Sequence, residues 1–88
     1  QITVNDEAAY TRYREDVPGT IKKFGGEYIV RGGDMEVLEG EWKMPRCVVL
    51  RFPDMASARA WYNSSDYQGL KAVRHAAAVS NAILIEGI

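Results

Sequence analysis

An arginine on the apolar face of a helix is the most informative chemical feature of the sequence. In the helix predicted after Ser64-Ser65, Arg74 lies on the apolar stripe, between Tyr67 and Leu70 on one side and Ala77 and Ala78 on the other. A buried guanidinium is permanently charged and needs a hydrogen-bonding or anionic partner. Two interpretations stay open. Arg74 forms an ion pair with Glu39 or Glu86, or it anchors a small molecule that carries a carboxylate.

Two more arginines flank a tryptophan in a predicted β-hairpin. Arg31 ends one strand and Arg46 begins the next, so the hairpin brings them close together, with Trp42 in the segment between. With Tyr67 and Arg74 they would line a small cleft, and these five residues are the candidate ligand-binding set. The alternative is that the arginines stack on Trp42 and hold the long loop in place.

Other reactive residues give no catalytic pattern. Cys47 lies in the apolar run CVVL, which is typical of a small buried side chain, and His75 falls on the polar side of its helix. One cysteine and one histidine cannot form a zinc cage. We expect no metal and no cofactor, and no catalytic residue is assigned. An enzyme would have to work through a pocket of Arg, Tyr and Trp side chains, as a cofactor-independent oxygenase or isomerase does.

The elements that position these residues follow the order β-α-β-β-α-β. The predicted strands cover 1–4, 27–31, 46–52 and 81–87, and segment 34–42 is either an edge strand or an extended loop. This order predicts one α+β domain over residues 1–88, ferredoxin-like, with a four-stranded antiparallel sheet and both helices on one face. The chain begins with Gln1 rather than methionine, and we expect residues 1–4 to be the end of a longer strand.

The first helix is predicted from its caps and its apolar stripe. It starts at Asn5-Asp6 and stops at Gly25-Gly26, and Pro18 predicts a kink or a break within it. The stripe consists of Tyr10, Tyr13, Val17, Ile21 and Phe24.

The second helix is predicted in two segments. Asp54 caps the first, over about 55–62, and Ser64 or Ser65 caps the next, with Ser65 and Gln68 at capping-box spacing. We expect the rings of Trp61, Tyr62 and Tyr67 to fill the joint between the segments.

Composition and strand pattern predict a homodimer. The chain has 88 residues, 47% of them hydrophobic, and a formal net charge of −1, which argues against nucleic acid as a partner. No apolar run approaches the roughly 20 residues of a membrane span, so we expect no membrane partner and a cytoplasmic location. Val48 and Leu50 point to one face of the sheet and Cys47 and Val49 to the other. Because the helices cover only one face, a second copy is expected on the other.

Five segments in order resemble a known family. GGEYIVRGG, EVLEGEW, PRCVVLRFPD, AWYNSSDYQGLKAVR and ILIEG are similar to the pattern of the domain-of-unknown-function family thirteen-thirty (DUF 1330). Ser65 stands where members often have proline, and Arg51 where they commonly have an acidic residue. The resemblance implies a small bacterial-type protein with the dimeric α/β-barrel version of the ferredoxin-like fold. The family has no agreed activity.

Three functions are therefore open at this point. The first is a module that binds a small anionic metabolite in a cleft between helices and sheet. The second is a cofactor-independent enzyme of the oxygenase or isomerase type, to which related dimeric barrels offer only a fold-level analogy. The third is a purely structural or accessory dimer, in which the arginines and aromatic rings are internal scaffolding.

Overall fold

The computed structural model describes residues 1–88 and has an α+β architecture with three helices and four short strands. In chain order these are β1 (Ile2–Val4), α1 (Glu7–Lys23), β2 (Glu27–Arg31), β3 (Val48–Arg51), α2 (Met55–Asn63), α3 (Ser65–Ala77) and β4 (Ala78–Ser80). The α+β class and the predicted element order are confirmed. No helix combines the length and apolar character that crossing a membrane requires.

The strands form two antiparallel two-stranded sheets, β1 with β4 and β2 with β3. A single bridge connects them, in which the Ile2 amide donates to the Arg46 carbonyl at 2.8 Å and the Arg46 amide donates back at 3.2 Å. The predicted continuous four-stranded sheet is therefore not present, and there is no closed barrel. The reason is the register, because β1 reaches the chain ahead of β3 only at its first residue.

The last strand lies earlier in the chain than predicted. It covers Ala78–Ser80, whereas residues 82–88 belong to no strand and make no backbone hydrogen bond. The carbonyl of Ala77 accepts the backbone N–H groups of Asn5 at 2.8 Å and Asp6 at 2.9 Å. This contact with a distant part of the chain fixes the end of α3 and lets the next three residues pair with β1.

The sequence predicts a kink or a break at Pro18, and helix α1 is continuous from Glu7 to Lys23, so the break is not present. Proline cannot donate to the carbonyl four residues earlier, which belongs to Arg14. The Arg31 guanidinium donates to that carbonyl through Nη2 at 2.6 Å and replaces the missing partner. The predicted ends are confirmed, with the Asp6 side chain accepting from the Ala9 amide and Gly25 ending the helix at a φ of 78°.

The break in the second helix is confirmed and centres on Ser64. Its hydroxyl donates to the Trp61 carbonyl at 2.7 Å and accepts from the Tyr67 amide at 3.2 Å, so one residue ends α2 and caps α3. Ser64, not Ser65, is the cap. The rings of Trp61 and Tyr67 pack with their centres 4.1 Å apart, and Tyr62 contacts both, as the sequence predicts for a joint.

The core lies between α1, α3 and the inner faces of the strands. The predicted stripe of α1 supplies much of it. The buried residues of the whole core are Ile2, Tyr10, Tyr13, Val17, Ile21, Trp61, Tyr67, Ala77 and Ala78. The inner residues of β2 and β3, Tyr28, Val48 and Leu50, pack against this cluster and are half-buried.

Candidate functional site

A small cavity with charged walls lies between α1, β1 and the chain ahead of β3. Its volume is about 260 Å³. The lining residues are Ile2, Thr3, Val4, Glu7, Tyr10, Arg14, Pro45 and Arg46. Of the five residues predicted to bind a ligand, Arg46 is the one in this wall.

Arg46 is held in place from two sides. Its Nε donates to the Tyr10 hydroxyl at 3.1 Å, and its Cζ lies 5.4 Å from the centre of the Tyr10 ring. On the other side is Gly32, whose φ is 68°. The φ at position 32 favours glycine, and a Cβ atom there would overlap the Arg46 guanidinium, which would have to move.

The cavity carries more positive than negative charge. Its charged lining residues are two arginines, Arg14 and Arg46, and one glutamate, Glu7. The ion pairs of the molecule are Lys23–Asp66 and Arg51–Glu27, so neither cavity arginine is paired with a carboxylate. The arrangement can attract and hold an anion, and the Tyr10 hydroxyl can add a hydrogen bond.

Arg31 lies beside this cavity, and its guanidinium makes structural contacts with α1 and β2. Its Nη2 donates to the Arg14 carbonyl, and its Cζ lies 4.6 Å from the centre of the Tyr28 ring. Burial raises the pKa of Tyr28, and the positive charge of Arg31 opposes that shift in part. Arg31 therefore connects β2 to α1. It lies next to the cavity but does not line it.

A row of tyrosines leads from the cavity into the core. The ring of Tyr10 lies 5.6 Å from that of Tyr13, and the hydroxyl oxygens of Tyr13 and Tyr67 are 2.7 Å apart. Tyr67 is only 1% exposed. Burial, followed by the proximity of Tyr67, strongly raises the pKa of Tyr13, so the Tyr13 phenol stays protonated at neutral pH.

Arg74 lies at the inner end of this row and has no acidic partner. It is 6% exposed, its Nη1 donates to the Ser80 hydroxyl at 2.7 Å, and its Nε has no hydrogen-bond partner. The ion pair with Glu39 or Glu86 that the sequence left open is absent. Burial lowers the pKa of Arg74, but the surrounding tyrosines, Tyr67 first, together more than offset this effect, so the side chain keeps its charge.

Trp42 lies apart from the other four predicted residues. It lines a second cavity of about 390 Å³ with Gln1, Glu41, Lys43, Met44 and Asn81, and it is 49% exposed. The arginines stack on tyrosines instead, Arg31 on Tyr28 and Arg46 on Tyr10. The structure thus brings Arg46, Tyr67 and Arg74 together through the tyrosine row and leaves Trp42 outside.

Three cavity residues were not among the predicted ligand-binding set. Glu7, Tyr10 and Arg14 follow one another on a single face of α1. The sequence assigns Tyr10 to the apolar stripe, and neither charged residue was predicted to bind a ligand. One signal in the sequence could have identified them. Glu7 lies three residues before Tyr10 and Arg14 four residues after it, so all three share one helix face at the edge of the apolar stripe.

Comparison with known proteins establishes the family. The chain belongs to the domain of unknown function family DUF1330, whose model matches residues 1–88. The resemblance inferred from the five sequence segments is thereby confirmed. Comparison with curated proteins gives no match.

Proposed function

We propose that this chain is a binding module for a small anionic metabolite, held in the cavity between α1 and Arg46. The observation that carries the proposal is that two arginines, Arg14 and Arg46, line one cavity and neither forms an ion pair with a carboxylate. Arginine binds carboxylates and phosphates through two parallel hydrogen bonds, which suits a small ligand with few other contacts.

The surroundings of Arg46 support this role. A ligand gains most from a side chain that is already held in its binding position, because less conformational entropy is lost. The Tyr10 hydroxyl occupies the Nε of Arg46 and leaves its terminal nitrogens free of other protein hydrogen bonds. The cavity of about 260 Å³ is slightly below the usual range for drug-sized ligands, which favours a compact anion.

The test is a thermal-shift titration with small mono- and dicarboxylates and with inorganic phosphate, at constant ionic strength. A ligand at 100 times its dissociation constant stabilises the folded state by about 2.7 kcal/mol. We expect at least one of these anions to raise the melting temperature of the wild-type chain. Arg46→Gln should abolish the shift, and Arg14→Gln should reduce it.

The matched control is Arg59→Gln. Arg59 is an exposed arginine on α2 that makes no ion pair or side-chain hydrogen bond, so its replacement removes one positive charge and leaves the cavity intact. The anion-induced rise in the melting temperature of Arg59→Gln should equal that of the wild type. An equal loss in Arg59→Gln and Arg46→Gln would mean that the anions respond to net charge alone and would refute the cavity as the site.

We also propose that two copies associate through the outer face of the strands, in the manner of the dimeric α/β barrels. Three valines support this arrangement, because Val30, Val49 and Val79 are 37%, 42% and 55% exposed on the side away from the helices. Covering about 500 Å² of apolar surface per partner would contribute on the order of 10 kcal/mol before the cost of association.

A further inference from the structure

We infer that the ligand of the cavity between α1 and Arg46 is a small amino acid with two carboxylates and one ammonium group. The inference rests on the proposed function, since it names the class of anion that the same cavity takes. It is drawn from the third charged residue of the lining, Glu7, which an anion without a positive group would leave unpaired.

The charge of Glu7 is not neutralised by any other part of the molecule. The ion pairs of the chain are Lys23–Asp66 and Arg51–Glu27, and the one side-chain hydrogen bond to Glu7 goes to its backbone carbonyl, from the Thr11 hydroxyl. Glu7 is exposed and lies in the first turn of α1, where the helix dipole favours a negative charge without pairing it. Its carboxylate is therefore available to a ligand.

The positive and negative groups of the cavity lie apart from one another. Glu7 and Arg14 are seven residues apart on one face of α1, which separates their backbones by about 10 Å along the helix axis. Tyr10 lies between them, and its hydroxyl accepts from the Nε of Arg46 at 3.1 Å. Neither arginine forms an ion pair with Glu7, although all three residues line one cavity. The lining thus offers two positive groups and one negative group to the same ligand.

Charge complementarity then sets the class of ligand. Two guanidinium groups suit two carboxylates, each through paired hydrogen bonds, and the carboxylate of Glu7 suits an ammonium group. An amino dicarboxylate carries these three charges and still has a net negative charge. A dicarboxylate without the amine would bring negative charge close to Glu7, which would select against it. The cavity volume of about 260 Å³ restricts the ligand to a short chain.

The experiment compares probes that differ by one charged group. Glutamate has all three groups, glutarate lacks the ammonium group, and γ-aminobutyrate lacks one carboxylate. Their dissociation constants are measured by NMR titration at neutral pH and constant ionic strength, with the amide signals of Tyr10 and Arg46 reporting on the cavity. We expect glutarate to bind the wild-type chain about fivefold more weakly than glutamate does, as for an exposed ion pair. The affinity for γ-aminobutyrate should be lower by about tenfold or more, because a charge-assisted contact is lost.

Glu7→Gln tests the residue itself. It removes the carboxylate and keeps the size of the side chain, so glutamate and glutarate should bind this variant equally. Glu15→Gln is the matched control, because Glu15 is exposed on the same helix, lies outside the cavity lining and makes no ion pair. It should keep the preference of the wild type for glutamate. Asp6 caps α1 in both variants, so we expect both to fold.

The remaining outcomes would overturn the inference in distinguishable ways. If glutarate binds the wild type as tightly as glutamate and Arg46→Gln weakens both, the anion site stands and the amino dicarboxylate is refuted. A preference that survives Glu7→Gln, or that Glu15→Gln removes equally, would refute Glu7 as the partner of the ammonium group. If neither glutamate nor glutarate binds, or if Arg46→Gln leaves their binding unchanged, the proposed function fails and the inference fails with it.

Discussion

Gly32 controls the position of the cavity arginine through its missing side chain. Its φ of 68° lies in the left-handed region, and the Arg46 guanidinium occupies the space that a Cβ atom would take. The sequence predicts that the strand ends at residue 31, before Gly32-Gly33, but does not separate the roles of the two glycines, because only their three-dimensional neighbours differ.

Gly32→Ala should therefore weaken anion binding more than it weakens the fold. The strain of alanine in this conformation costs about 1 kcal/mol, and the methyl group displaces Arg46. Thermal shift with and without the anion measures both effects. Gly33→Ala is the control, since a Cβ at Gly33 meets nothing within 4 Å and its φ is not positive. Equal anion shifts in the two variants would contradict this role of Gly32.

The Tyr13 hydroxyl makes stability sensitive to alkaline pH. Its pKa is raised in the folded state, so the unfolded chain loses this proton first, near pH 10. The stabilisation is complete below that pH and falls as pH rises above it, by up to about 1.4 kcal/mol per pH unit. Urea unfolding between pH 9 and 11 should thus show a shallower decline in Tyr13→Phe.

Tyr62→Phe serves as the control for this pH dependence. Tyr62, like Tyr13, packs against the ring of Tyr67, but its hydroxyl makes no hydrogen bond. Its variant should lose stability with pH as the wild type does. The explanation fails if Tyr13→Phe and the wild type decline in parallel.

At the scale of the elements, one arginine lets a proline remain inside a helix. Pro18 leaves the Arg14 carbonyl without its helical donor, and Arg31 on β2 supplies one at 2.6 Å. The sequence predicted a break because it shows the missing N–H group but not the distant group that compensates for it. The same contact attaches α1 to the second sheet.

A double-mutant cycle tests this compensation. In the wild-type background Arg31→Ala should cost about 1 kcal/mol, since it leaves the Arg14 carbonyl without a protein partner. In the Pro18→Ala background the residue at position 18 donates within the helix again, and the cost of Arg31→Ala should fall to about half. Chemical denaturation gives both values.

Arg12→Ala provides the reference for this cycle. Arg12 is exposed on α1 and makes no side-chain hydrogen bond, so its removal should cost the same in both backgrounds. Additive costs for Arg31→Ala and Pro18→Ala would rule out the compensation.

Local signals predicted the elements wherever neighbours in sequence decide the structure. The stripe from Tyr10 to Ile21, the Asp54 cap and the turn at Gly25 depend on nearby residues, and all three are confirmed. The position at which α3 ends does not depend on nearby residues alone. Ala76, Ala77 and Ala78 favour a helix, yet α3 ends at Ala77, whose carbonyl accepts two amides from near the start of the chain instead of one from its own helix.

The candidate site was only partly predictable for the same reason. Arg46 was found because it lies at a strand start, and Arg74 because a charge on an apolar stripe is conspicuous in one dimension. Whether Arg74 has an acidic partner depends on which residue follows α3 into the core, and this is Ser80. Trp42 was included because it lies between two arginines in sequence, although the loop carries it to another cavity.

At the scale of the whole molecule, the exposed valines on the outer face of the strands predict that the chain forms a dimer. Val49→Asp places a charge at the centre of the proposed interface, where burial without a partner costs several kcal/mol. Light scattering should then change from twice the 9.9 kDa chain mass to the chain mass itself. Val73→Asp, an exposed valine on α3, should remain dimeric. A wild-type chain that is monomeric at micromolar concentration would disprove the dimer.

The unpaired C-terminal residues also affect how the protein behaves in concentrated solution. Ala82–Ile85 is a short apolar stretch without proline, and such stretches can stack into cross-β fibrils when they are left uncovered. Any ligand, strand or subunit that covers it would therefore also extend the shelf life of the sample. Resistance to fibril formation would then be a practical measure of how completely residues 82–85 are covered or paired.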